Sequence, residues 1–153
     1  YWGRGLDPME KITVHTKFHA GHRLLGYPGA CRFVHGHTWR GTVTIATEAF
    51  PRDERDITID FGRLKQIMRD LDHKMLVTAN DPLFTNAELF DPEGVVVLEG
   101  QGPSVETVAG HVWERVVQEI RRTFSDRGLD YRIEVMIQES ENNIFVIDRH
   151  AVV

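Results

Sequence analysis

From Lys11 to His19 apolar and polar residues alternate, with Ile12, Val14, Thr16 and Phe18 on one side and Lys11, Thr13, His15, Lys17 and His19 on the other. That period of two is the signature of a strand buried on one face. A second β-rich stretch, His35 to Glu48, carries Val43, Ile45 and several threonines, and a Gly/Pro-rich loop from Gly21 to Ala30 joins the two. Their proximity predicts an antiparallel ribbon. Beyond it the period changes: Phe61, Leu64, Ile67, Met68 and Leu71 recur at helical spacing behind Asp60, a suitable N-cap, and the helix should end near Asp72-His73. Lys74 to Gly102 reads as an irregular excursion with one apolar run, Val95 to Leu98, suited to a short strand. After Pro103-Ser104, the stripe Val105, Val108, Ala109, Val112, Trp113, Val116, Val117, Ile120 and Phe124 predicts a long amphipathic helix. Tyr131, Ile133, Val135 and Ile137 then alternate, and Asn142-Asn143 separates them from Ile144 to Ile147 as in a closing hairpin. The expected order is β-β-α-α-β-β, an α+β fold with an antiparallel sheet.

Composition narrows what such a chain does. Its 153 residues suit a single domain, expected over residues 9–153, with Tyr1 to Pro8 as a disordered or added lead-in ahead of Met9. At 41% hydrophobic and 27% charged the composition is globular rather than disordered. No run approaches the roughly 20 apolar residues of a membrane span, so no membrane association is expected. The net charge of −5, with basic residues scattered, lacks the electrostatic footprint of a nucleic-acid binder. The single cysteine, Cys31, cannot form an internal disulfide, and a reducing, cytoplasmic setting is the expectation. Histidine is the unusual count: there are 8.

Three of these histidines fall into a ligand pattern. In His35-Gly36-His37 the two imidazoles project to the same side of an extended chain. His22, just past the predicted end of the first strand, supplies a third nitrogen if the strands pair, leaving a fourth position open for water or substrate, as in catalytic zinc sites. An isolated His-x-His is commonly surface decoration; Cys31, four residues before His35 in a glycine-bordered loop, lowers the weight of that reading. Cys31 itself suits three roles: a small buried hydrophobe, a fourth ligand closing a structural zinc site, or a thiolate activated by a nearby cation. Asp72-His73 suits a proton-handling pair, or a helix end favoured by the dipole. Glu139 ends the apolar row of Tyr131 to Ile137, where a carboxylate either turns to water or accepts two parallel hydrogen bonds from a heterocycle's amino group and ring N–H. Glu106, in the first turn of the long helix, is explained by dipole stabilisation alone. His15, His19, His111 and His150 are expected to be structural or at the surface.

Taken in order, Phe18-x-Ala20-x-His22, Cys31-x-x-x-His35-Gly36-His37, Ile59-Asp60-Phe61, Leu71-Asp72-His73, Pro103-Ser104-x-Glu106 and Gln138-Glu139-Ser140 closely resemble the 6-pyruvoyl-tetrahydropterin synthase family. That family includes the 6-carboxy-tetrahydropterin synthases of the queuosine pathway. The resemblance runs from about Lys11 to Ile147, and it implies a tunnelling fold, with two helices on one face of the sheet. It further implies a trimeric, twelve-stranded barrel, usually paired into a hexamer with active sites between subunits. It implies zinc on His22, His35 and His37, Cys31 as the proton-abstracting residue with Asp72 and His73 as relay, and Glu139 as pterin anchor within the catalytic group. Ser104 and Glu106 are the further substrate contacts so implied, and the substrate is 7,8-dihydroneopterin triphosphate, a small molecule.

The three-residue gap between Cys31 and His35 is similar to the carboxy branch, which also releases acetaldehyde. Arg32 stands where a folate-pathway side branch carries Glu. Val77, in place of a common Asn, Ser104 in place of Thr, and the long excursion depart from the carboxy pattern. The alternatives are a 6-pyruvoyl product, an aldolase-like activity on dihydroneopterin, or a non-enzymatic zinc- and pterin-binding module with a closed Cys-His₃ site. Lys17, Arg23 and Arg32 are the candidates for contacts with triphosphate.

Overall fold

A computed structural model describes residues 9–124 and 127–153; the proposed lead-in, 1–8, lies outside the described residues. The elements run β1 (Glu10–His22), β2 (His35–Thr47), α1 (Phe61–Arg69), β3 (Lys74–Thr78), β4 (Val95–Leu98), α2 (Val105–Phe124), β5 (Asp130–Ser140) and β6 (Asn143–Val152). They form one six-stranded sheet in the order β4-β3-β1-β2-β5-β6. The four long strands are antiparallel neighbours. The expectation of a purely antiparallel sheet is corrected, because β3 runs parallel to β1 and β4 parallel to β3. Strand β3 was hidden in the sequence: Met75, Leu76 and Val77 form a short continuous apolar run rather than an alternating one. A strand covered on both faces reads that way.

The alternation in β1 fixes which face is buried. Ile12, Val14, Phe18 and Ala20 join Trp39, Val43 and Ile45 of β2 and Tyr131, Ile133, Val135 and Ile137 of β5 in one core. Both helices pack on that face. Asp60 accepts the amide of Gly62 and caps α1, whose Leu64, Ile67 and Met68 are buried; α2 buries the whole predicted stripe from Val108 to Phe124. The reverse face is polar, with cross-strand pairs Thr13–Thr44, His15–Thr42 and His19–Thr38 joined through side chains at 3.0–3.1 Å. Among the described residues, β3 meets β1 only at Ala20 and Gly21, so within that set the outer edge of β1 from Glu10 to His19 has no strand partner, and neither has that of β6.

Two glycines in regular elements carry opposite stability signs. A Cβ on Gly41 would lie 2.1 Å from Met68 Sδ and 3.4 Å from Ile137 Cδ1, so a bare backbone in β2 is what lets α1 seat. Gly110, inside α2, has no neighbouring atom within 4 Å of such a Cβ. Gly110→Ala should therefore stabilise the protein by about 0.5–1 kcal/mol, through helix propensity and unfolded-chain entropy. Gly41→Val should destabilise it by about 1–3 kcal/mol despite the strand preference of valine. Denaturant midpoints at fixed m-value measure both, and a stabilised Gly41→Val would contradict the tight contact.

Candidate metal centre

Strand β1 continues through His22, correcting the expectation that this residue stands beyond its end, and the register puts His22 directly opposite His35. His37 faces Ala20, two residues back and on the same side, so three imidazoles meet where the ribbon emerges from beneath the helices. Ring centroids are 4.5 Å apart for His22–His35, 5.2 Å for His22–His37 and 4.9 Å for His35–His37. One nitrogen from each lies within 4.8 Å of the others, a set positioned to bind a metal ion.

The hydrogen bonds select which nitrogens are free. His22 Nδ1 lies 2.7 Å from the carbonyl oxygen of Pro103, and His35 Nδ1 lies 2.7 Å from that of Phe33. A carbonyl only accepts, so both Nδ1 atoms donate and both Nε2 atoms carry lone pairs. The Nε2 atoms of His22 and His37 are buried without a hydrogen-bond partner, which in a polar cluster is a cost left open for a ligand. Burial pushes both imidazoles below the usual histidine range; for His22 the Pro103 carbonyl opposes that effect, and for His37 the Glu139 carboxylate does. Three converging imidazoles with an open side fit a divalent ion such as zinc.

Glu139 stands at this rim. The pairing of β5 with β6 shifts between Gln138 and Ser140, leaving Glu139 as the extra residue of a bulge, 15% exposed and with Oε1 3.3 Å from His37 Nε2. Bulges re-aim side chains in this way. Cys31 lies half-buried in a short 3₁₀ turn, and its carbonyl accepts the amide of Leu24 to close the intervening loop. Its sulfur is not part of the metal-binding donor set, so the closed Cys-His₃ arrangement is not formed.

Asp72 and His73 do form a pair, with His73 Nδ1 2.9 Å from Asp72 Oδ2, and Asp72 Oδ1 accepts the amide of His19 at 2.7 Å. That amide, followed by His73, holds the Asp72 carboxyl below the usual carboxylate range. His73 has φ +59° and its side chain is 81% exposed beside His19, 6.1 Å between ring centroids. It lines an open depression of about 420 Å³ with His19, Thr38 and Lys74, and His37 of the triad is also part of the lining. His19 points to the polar face of β1 and His22 to the core face. Asp72–His73 is thus fastened to β1 at a residue that faces away from His22.

Ser104 Oγ accepts the amide of Thr107 at 3.2 Å, so this hydroxyl caps α2, and Glu106 is exposed in its first turn. Arg23 is engaged by a carboxylate of the chain itself. Its Nε and a terminal nitrogen donate to the two oxygens of Asp81 at 2.9 and 2.8 Å, raising the affinity of the guanidinium for its proton and lowering that of the carboxyl. This bidentate clasp, which fastens the excursion beside His22, was missed in the sequence. Only an Asn80-Asp81-Pro82 turn signal marks Asp81, and nothing local names its partner. Trp39, the other omission, carried a signal in its spacing: it follows His35 and His37 by twos on the same face.

Comparison with known proteins decides the family. A family model described as 6-pyruvoyl tetrahydropterin synthase matches residues 11–150. The chain belongs to the 6-pyruvoyl tetrahydropterin synthase family. The 6-carboxy-5,6,7,8-tetrahydropterin synthase of Rickettsia bellii is 29% identical over 110 residues, covering 68% of this chain and 78% of that relative. The solved 6-pyruvoyl tetrahydropterin synthase of Plasmodium falciparum superposes with a TM-score of 0.68 at 17% identity, over 95% of this chain and 99% of the other. That of Caenorhabditis elegans gives 0.55 at 20%, over 93% and 96%. These two speak for the fold, while the relatives by sequence support the 6-carboxy branch and a pterin-processing, lyase-type enzyme. No helix among the described residues is long and apolar enough to cross a membrane.

The histidines of this cluster make the protein sensitive to acid. The unfolded chain protonates His22 and His37 near pH 6.5, whereas burial in the native state resists that protonation. Below that pH the unfolded state binds more protons, so stability is full above it and declines as pH falls through it. Denaturant midpoints in chelator should drop between about pH 7.5 and about pH 5.5, and a His22→Gln/His37→Gln double variant should lose part of that slope. An identical slope in the variant would contradict the assignment.

Proposed function

We propose that this chain converts 7,8-dihydroneopterin triphosphate and one water to 6-carboxy-5,6,7,8-tetrahydropterin, triphosphate and acetaldehyde, with zinc on His22, His35 and His37. The observation that carries the proposal is a three-histidine set in which the buried His22 Nε2 has no partner and the buried His37 Nε2 faces only the Glu139 carboxylate at its rim, in a chain whose relatives are named for that product. The queuosine pathway and a cytoplasmic setting, where Cys31 stays reduced, belong to the same reading.

Zinc in this position supplies Lewis acidity toward the oxygens of the substrate side chain. The protein's own groups do the rest. Glu139 offers both carboxylate oxygens to the amino group and ring N–H of the pterin and so sets which side-chain carbon faces the proton-moving groups. Cys31, as thiolate, takes the proton from that carbon. His73, oriented through Nδ1 by Asp72, takes up and returns protons at Nε2. Ser104 and Glu106, at the N-terminus of α2, border the same substrate region next to the Pro103 carbonyl that holds His22.

Within one chain Asp72–His73 is fastened to β1 at a residue that faces away from His22, which favours an active site shared between copies. The open edges of β1 and β6 provide the means: pairing of one with the other around a threefold axis closes the long strands into a barrel without edges, as a trimer or a pair of trimers.

Incubation with 7,8-dihydroneopterin triphosphate should yield 6-carboxy-tetrahydropterin and acetaldehyde by mass spectrometry. A 6-pyruvoyl product would move the chain to the other branch, and turnover of unphosphorylated dihydroneopterin would move it to the aldolase-like activity. Cys31→Ala and His73→Ala should each lose about 10²-fold or more in turnover while keeping zinc. Mixing the two variants should restore part of the activity, because some shared sites regain both groups; no recovery would refute the intersubunit site. Glu139→Gln should weaken pterin binding without loss of zinc, since an amide presents a donor where two acceptors are needed.

A further inference from the structure

Beneath the triad lies Trp39, fully buried and two residues past His37 on the same face of β2. Its indole is stacked on Phe18, centroids 5.8 Å apart with planes at 6°, and meets His22 and His37 edge-on at 5.1 and 5.5 Å. Its Nε1–H donates to the carbonyl of Ala20 at 3.1 Å, and Ala20 is the residue that faces His37 across the ladder. One side chain therefore touches two of the three imidazoles and fixes the backbone opposite one of them.

The three histidines are not equally anchored. His22 and His35 each donate Nδ1 to a backbone carbonyl. Among the described residues, no protein group hydrogen-bonds to His37 Nδ1; the ring is set by the flanking imidazoles, by Glu139 at 3.3 Å and by the indole below. A tetrahedral ion tolerates little error in ligand position, with metal–nitrogen distances of about 2.0–2.1 Å. For His37 that accuracy has to come from packing.

We infer that Trp39 is a positioning residue for the metal centre. Its ring is the floor on which His37 and His22 stand, and its N–H pins the strand that carries the opposing residue. The inference rests on the metal reading of the triad. Trp39 touches neither the ion nor the substrate, and its effect runs through the direction of two Nε2 atoms. Because His37 lacks a carbonyl anchor, it is the ligand that depends most on this floor.

Trp113 provides a matched control. It too is buried and donates its indole N–H to a strand carbonyl, Ile133 at 3.2 Å, but it lies on α2 and has no ring contact with the triad. The experiment titrates zinc against a chelator in the wild type, Trp39→Phe and Trp113→Phe, with folding checked by circular dichroism, and records the visible spectrum of the cobalt-substituted forms. Trp39→Phe should bind zinc about 10- to 100-fold more weakly, the scale for groups that orient ligands, and its cobalt spectrum should change. Trp113→Phe should lose stability while keeping the affinity and spectrum of the wild type. In a His37→Ala background, Trp39→Phe should cost much less affinity than it does alone.

Failure of the wild type to bind zinc would remove the metal reading itself. Wild-type binding with unchanged affinity in Trp39→Phe, or an equal loss in Trp113→Phe, would overturn the positioning role alone. If Trp39→Phe does not fold, Trp39→Tyr takes its place, and failure of both to fold would make Trp39 a core residue and overturn the assignment.

Discussion

The register of β1 against β2 is the constraint on which the rest depends. Thirteen consecutive pairs run from Glu10–Thr47 to His22–His35 without a bulge. A slip of one residue would turn Phe18, Ala20 and His22 to the polar face and leave Trp39, His37 and His35 on the other. The register is held by burial: Ile12, Val14 and Phe18 face the same core as Trp39, Val43 and Ile45. The hydrophobic effect that stabilises the sheet thus also aligns the metal ligands, and no separate device is needed to bring His22 to His35.

That coupling explains the electrostatics of the site. The triad occupies the end of the core face, where the row of apolar side chains stops and the helices no longer cover it. Burial there lowers the proton affinity of His22 and His37, while one side of the cluster stays open to accept a ligand. Exposed imidazoles would be more readily protonated and worse ligands, and fully enclosed ones would leave no position for substrate. The reverse face of the same ribbon bears Thr13, His15, His19 and their threonine partners, and there Asp72–His73 is fastened to the His19 backbone through both its amide and its carbonyl. One strand thus presents His22 on one face and the backbone that fastens Asp72–His73 on the other.

The excursion between the helices has a place in this design. Strands β3 and β4 extend the sheet beside the triad-bearing end of β1, and the Arg23–Asp81 clasp ties the chain after β3 to the residue next to His22. Asp81 is nearly buried and also accepts the amides of Leu83 and Phe84, so the ion pair sits in a satisfied network rather than exposed to screening. The segment then returns through Pro103, whose carbonyl orients His22. The stretch between the helices is in this way attached to the histidine triad at two points.

The sequence by itself determined the elements that have a period. The alternation in β1 and β5 and the stripe in α2 are local consequences of one-sided burial, so they could be read without knowing the partner, and β2 could be read from its β-rich composition. His35 and His37 share a face for the same reason, and Glu139 could be placed at the end of an apolar row. Tertiary structure decided what depends on residues far apart in the chain. Strand β3 has no period because both its faces are covered; the parallel pairings are invisible locally; and Arg23 finds Asp81 across 58 positions. The Nδ1 bonds that leave Nε2 free come from Pro103, 81 residues from His22, and from a turn beside His35. Sequence spacing names candidate ligands, but the free nitrogen, the floor beneath it and the face on which Asp72–His73 stands are set by packing and hydrogen-bond satisfaction, which exist only once the chain has folded.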